Sequence, residues 1–73
     1  MKFNDTKIQY RAMKDYIRGE MRRQKISQSD MAYRLNMTQG NFSYKLSDKG
    51  DFTTWELLNV FEILGVEFEY GNR

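Results

Sequence analysis

Residues 27–46, SQSDMAYRLNMTQGNFSYKL, constrain this chain more than any other stretch. Two short helical patterns lie on either side of a tight connection. Ser27 stands three residues before Asp30, a capping-box-like start that predicts a helix over about residues 28–35. Met31, Ala32 and Leu35 then give it one narrow apolar face. Asn36 follows where that helix must stop, and asparagine tolerates the left-handed conformation best after glycine. Met37 fits the elbow, and Thr38 offers a hydroxyl to cap a helix over 39–46. In that helix Phe42 and Leu46 are four apart and face inward, which leaves Gln39, Gly40, Ser43 and Tyr44 facing out.

A small Ala32 at a close helix crossing, a non-glycine elbow and a polar outer face spell a helix-turn-helix. On these residues the chain resembles the lambda-repressor and Cro-like family, also called the xenobiotic-response-element family. Gln28, Ala32, the Asn36 turn, Thr38, Gln39, Phe42 and Ser43 stand where that family's pattern wants such residues, and NFSYKL with the later LGVEF is similar to a small-regulator subset of it. The likeness extends over roughly residues 14–68. Three positions depart from the pattern. Asn36 replaces the usual turn glycine, and Lys45 stands where an apolar residue is common, so that Leu46 takes the packing role. Gly40 occupies a position from which the family often reads a base with a side chain. The resemblance implies an all-α domain of four to five helices that regulates transcription, a repressor of phage or mobile-element type. An activator, or an antitoxin that autoregulates its operon, fits the same pattern.

Composition narrows the alternatives. At 73 residues this is a single domain, near the lower limit for folding alone. Its 40% hydrophobic and 15% aromatic content suffices for one compact core. With neither cysteine nor histidine, disulfides, thiolate chemistry and the usual zinc sites are excluded. No metal, cofactor or small-molecule ligand is implied. No apolar run approaches the roughly 18 residues of a membrane helix, and the N-terminus has no signal-peptide core. The expectation is a cytoplasmic protein, bacterial or phage-encoded. The net charge of +2 hides an asymmetry: residues 1–49 hold 11 basic against 5 acidic side chains, residues 50–73 only 1 against 5. That division suits one face on a polyanion and the other turned away from it. Enzymatic readings fare poorly, because the carboxylates are scattered and neither a His or Cys base nor a glycine-rich phosphate loop is present.

Along the chain, residues 1–4 read as frayed or extended, and Asn4, Asp5 and Thr6 as possible caps for a first helix reaching about Gln24. Ile8, Ala12 and Tyr16, with Met13, Ile17 and Met21, form two i, i+4 rows expected to face the core. Gly19 costs about 1 kcal/mol relative to alanine and suggests the close approach of another backbone. Arg22, Arg23 and Lys25 suit the negative end of the helix dipole and equally suit phosphate. Ile26 is expected to fold back onto the core. Residues 47–51 are turn chemistry, with Gly50 expected at positive φ. Thr53 and Glu56 make a capping box that opens a last helix, closed by Gly65 as a left-handed cap. Leu57, Val60, Phe61 and Leu64 fill its core face. Trp55, Leu58 and Ile63 are left at the rim. Residues 66–70, VEFEY, alternate with period two and predict a short C-terminal β-strand. It has no match of its own quality in the chain, so its simplest partner is the same strand in a second copy.

A helix-turn-helix lays its second helix in the major groove of double-stranded DNA while the first crosses the backbone. Base contacts are therefore expected from Gln39, Gly40, Ser43 and Tyr44. Gln39 suits paired hydrogen bonds to adenine, and Tyr44 a base, a phosphate or a thymine methyl. Phosphate contacts are expected from Ser27, Gln28, Thr38, Asn41, Lys45 and Lys49. Each also has an ordinary reading, as a first-turn polar residue, a cap or a solvated lysine. A homodimer is expected through Trp55, Leu58, Ile63, Val66, Phe68 and Tyr70, on a palindromic operator with half-sites one helical turn apart. A protein-interaction module using that apolar rim, with helix 39–46 idle, is the competing reading.

Overall fold

A computed structural model describes the backbone of residues 3–66 and the side chains of residues 6–66. The described part is all-α: α1 (Phe3–Gln24), α2 (Gln28–Arg34), α3 (Gln39–Leu46) and α4 (Thr54–Leu64). The strand expected over 66–70 lies outside the described residues except for Val66, as do Phe68 and Tyr70.

The last three helices start as their caps dictate. The Ser27 Oγ accepts the Asp30 N–H, the Thr38 Oγ1 accepts the Asn41 N–H, and Thr53 with Glu56 closes a reciprocal capping box. α1 begins at Phe3, ahead of the expected cap cluster at residues 4–6. Three helices also end alike. Lys25, Asn36 and Gly65 take positive φ (61°, 65° and 76°). After each, a returning N–H reaches five residues back: Ile26 to the Met21 carbonyl, Met37 to Ala32, Val66 to Phe61. This is the Schellman closure, whose left-handed residue throws the next side chain back over the helix it ends. Ile26, Met37 and Val66 accordingly all pack on the core.

That core comprises Ile17 and Met21 of α1, Met31 and Ala32 of α2, Phe42 and Leu46 of α3, and Val60, Phe61 and Leu64 of α4. Phe52 joins it from the α3–α4 loop, its ring tilted against Phe42 at 5.7 Å between centroids. Three expectations are corrected here. Of the two α1 rows only Met13, Ile17 and Met21 face inward, whereas Ile8, Ala12 and Tyr16 are exposed. The inward row is the half-buried Tyr10 with the buried Lys14, Ile17 and Met21, and Ile8 stands half a turn round from Ile17. Gly19 meets nothing within 4 Å, so no backbone approaches it. Gly50 does not take positive φ; a Cβ there would strike the Tyr44 carbonyl and lie 2.7 Å from the Lys45 Cα. Glycine is needed for close approach. No helix among the described residues is long and apolar enough to cross a membrane.

Candidate nucleic-acid interface

Two helices of seven and eight residues are too short to stand alone in water, so tertiary contacts must hold them. α3 is held at three places. Its inner face is pinned by Phe42 and Leu46, both fully buried. Its start is capped by Thr38, whose hydroxyl oxygen accepts the Asn41 N–H at 3.1 Å. Its end, where carbonyls run out of helical partners, is met by two cations from α1. Arg18 Nη2 donates to the Leu46 carbonyl at 2.6 Å, and Lys14 Nζ donates to the Ser47 and Gly50 carbonyls at 2.7 and 2.6 Å.

Lys14 is only 3% exposed and stands over the Tyr10 ring, 4.5 Å from its centroid. Two carbonyls and a π face thus replace the water that a buried ammonium loses. The Tyr10 hydroxyl in turn accepts the Phe52 N–H at 3.0 Å. α4 is tied by the same device, Gln24 Nε2 donating to the Leu64 carbonyl at 2.8 Å. Lys14, Arg18 and Gln24 were not among the residues singled out from the sequence. The signal available was a basic residue within an otherwise apolar i, i+4, i+7, i+11 row from Tyr10 to Met21.

The expected contact residues divide in two. Gln39, Gly40, Asn41, Tyr44 and Lys49 are exposed. The side chains of Gln39, Asn41 and Tyr44 have no hydrogen-bond partner among the described residues. A Cβ on Gly40 would meet nothing within 4 Å, so helix packing does not require glycine there. The others already have partners. The Ser43 hydroxyl donates to Gln28 Oε1, which binds α3 to α2. Ser27 and Thr38 act as caps. Lys45 Nζ lies 2.8–2.9 Å from both carboxylate oxygens of Glu56, and that ammonium holds the Glu56 pKa below its ordinary value.

Five basic side chains are in ion pairs: Arg11 with Asp48, Arg18 with Asp15, Arg23 with Glu20, Arg34 with Asp30, and Lys45 with Glu56. Lys7, Arg22, Lys25 and Lys49 are exposed and make no ion pair with another described residue. Between the end of α1 and the start of α2 lies an open cleft of about 260 Å³, lined in part by Arg18, Arg22, Ser27 and Gln28. It can admit an anionic group between a guanidinium and the polar start of α2.

On α4 Trp55 is 76% exposed and Leu58 and Ile63 are half-buried, as is Val66 just beyond the helix. Ile63 and Val66 spend that burial on the domain's own core. Among the described residues no cluster of three or more acidic side chains could hold a metal. No family model matches the chain, and neither a curated protein nor a solved structure does.

Proposed function

We propose that the chain binds double-stranded DNA sequence-specifically as a homodimeric transcriptional regulator, a repressor of the phage or mobile-element type, with α2 and α3 as its helix-turn-helix. The observation that carries this reading is the state of α3. Both its ends are fixed, yet Gln39, Asn41 and Tyr44 are exposed and their side chains have no hydrogen-bond partner among the described residues. A preorganised helix with unspent hydrogen-bonding capacity is what major-groove reading requires.

Gln39 and Tyr44 contact bases, and the bare backbone at Gly40 allows close approach. Ser43, through Gln28, fixes the angle between the two helices. Arg22, Lys25 and Lys49 join Gln28 and Asn41 against phosphate. Lys45 contributes less than a free lysine because Glu56 already neutralises it. Trp55, Leu58 and the segment 66–70 form the dimer contact.

Selection of bound sequences from a random DNA pool, followed by titration at several salt concentrations, tests this. Affinity should fall with a log–log slope of about −0.9 per phosphate contacted. Gln39→Ala and Tyr44→Ala should each cost about 1–3 kcal/mol on the selected site while leaving random DNA nearly unaffected. A flat salt response removes the reading. A protein-interaction module is favoured by one observation, the exposure of Trp55; in that case Trp55→Ala would abolish partner binding and the α3 variants would be silent.

A further inference from the structure

The outward face of α1 holds the row that sequence periodicity assigns to the core. Ile8 is 61% exposed and Tyr16 48%, and Ala12 between them is exposed as well. All three stand on one side of the helix, away from Ile17 and Met21, and none of them belongs to the core of the described residues. Gly19 extends the same face with open space beyond its Cα, at a helical cost that no contact within the domain repays.

The row has a symmetry that selects its occupant. It reads large, small, large about Ala12, so an antiparallel copy of the helix sets Ile8 against Tyr16 twice and lets the backbones approach at Ala12. One flank carries Arg11 and Asp15, which pair within their own chain with Asp48 and Arg18 and are still about two-thirds exposed. In the antiparallel register Arg11 of each copy comes beside Asp15 of the other. An isologous contact pairs residue i with j and j with i, which this spacing satisfies with Ile8 and Tyr16 on either side of the small Ala12.

We propose that this face of α1 is a self-association surface, on which a second copy of the chain lays its own α1 antiparallel with Ala12 at the two-fold axis. Three side chains a copy fall well short of the roughly 800 Å² per partner of a durable interface. The contact is therefore weak alone and acts where copies are already concentrated, such as neighbouring dimers on one DNA. It does not depend on DNA binding, and its test uses none.

The chain has no cysteine, so a single Ala12→Cys substitution gives a clean probe. A disulfide needs Cα atoms within about 7 Å, a separation only the crossing point of two copies supplies. Under mild oxidation, covalent dimers on a denaturing gel should form at least about tenfold faster than from Ser29→Cys, whose thiol is exposed on α2 and meets its copy by collision alone. Adding Ile8→Asp to Ala12→Cys should bring the rate down to the control. Both positions are exposed, and an unchanged circular-dichroism melt will certify the fold. Equal rates for the two cysteines, or no slowing by Ile8→Asp, would overturn the proposal.

Discussion

The two ends of α3, a helix of eight residues, are treated in opposite ways. At and just beyond its C-terminal end four carbonyl groups have been given a side-chain donor: Arg18 on Leu46, Lys14 on Ser47 and Gly50, the Ser47 hydroxyl on Tyr44. Even the Lys45 ammonium is held by Glu56. At the N-terminal end only the backbone is satisfied, through Thr38, and the side chains of Gln39 and Asn41 are left to the solvent. The contrast shows how a short helix combines rigidity with available chemistry. Position is fixed at the C-terminal end, which leaves the hydrogen-bonding groups of Gln39 and Asn41 at the other end uncommitted among the described residues.

The sharpest way to break this contrast is at Gly50. Its Cα lies against the backbone of Tyr44 and Lys45, and backbone cannot swing aside as a side chain can. Gly50→Ala should therefore push the α3–α4 loop off the end of α3 and cost about 3 kcal/mol, read as a lowered urea midpoint. An unchanged midpoint would mean the loop does not press on α3. Lys14→Met comes next. It keeps the stem's packing but leaves the Gly50 carbonyl, in a buried residue, without the ammonium, and the Ser47 carbonyl with only the long Gly50 N–H contact at 3.4 Å. The expected loss is about 2 kcal/mol, from hydrogen bonds to a charged group that water only partly replaces. If urea denaturation instead finds Lys14→Met as stable as the native chain, packing at Phe42 and Leu46 is what holds the helix.

The same two ends differ in how much of them could be read from sequence. The start of α3 was legible because each signal is local: Thr38 caps a group three residues on, Asn36 takes the left-handed turn, and Phe42 and Leu46 share one face. The end was not. Lys14 acts on carbonyls 33 and 36 residues away, and no periodicity marks a lysine as buried when its partners are main-chain atoms. With Lys14 buried beside Tyr10, the inward face of α1 centres on Tyr10, Lys14, Ile17 and Met21, and Ile8, Ala12 and Tyr16 fall outside it. Lys25 shows the limit from another side. Its left-handed φ follows from Ile26 returning to the core and overrides a preference that would cost an ordinary residue about 1–2 kcal/mol. Gly50 closes the turn its neighbours predict, but its need for no side chain arises from its approach to α3 and not from its own φ.

The smallest expected effect lies at Lys45 and Glu56, and pH isolates it. The hydrogen bond from Lys45 is the main cause that lowers the Glu56 pKa below its ordinary 4.5, with the Thr53 backbone N–H adding to it. A carboxylate whose pKa is lower in the folded chain than in the unfolded one stabilises fully above the unfolded value. It loses that stabilisation as pH falls through the folded value. The pair should thus contribute at neutral pH and fade below about pH 4.5, while Glu20, lowered by Arg23, fades with the same sign. Both partners of the Lys45–Glu56 pair are about three-quarters shielded from water, which keeps it less screened than a surface pair. Its worth is still only about 1 kcal/mol. In Lys45→Met the Glu56 pKa should return toward its ordinary value, and the gap in stability from the native chain should close on going from pH 7 to pH 3. Urea midpoints measured across that range decide the matter. A gap that stays constant in acid would mean that the Lys45 stem, packed between α3 and α4, matters more than its charge; the tie on the C-terminal half of α3 would then be apolar at this point.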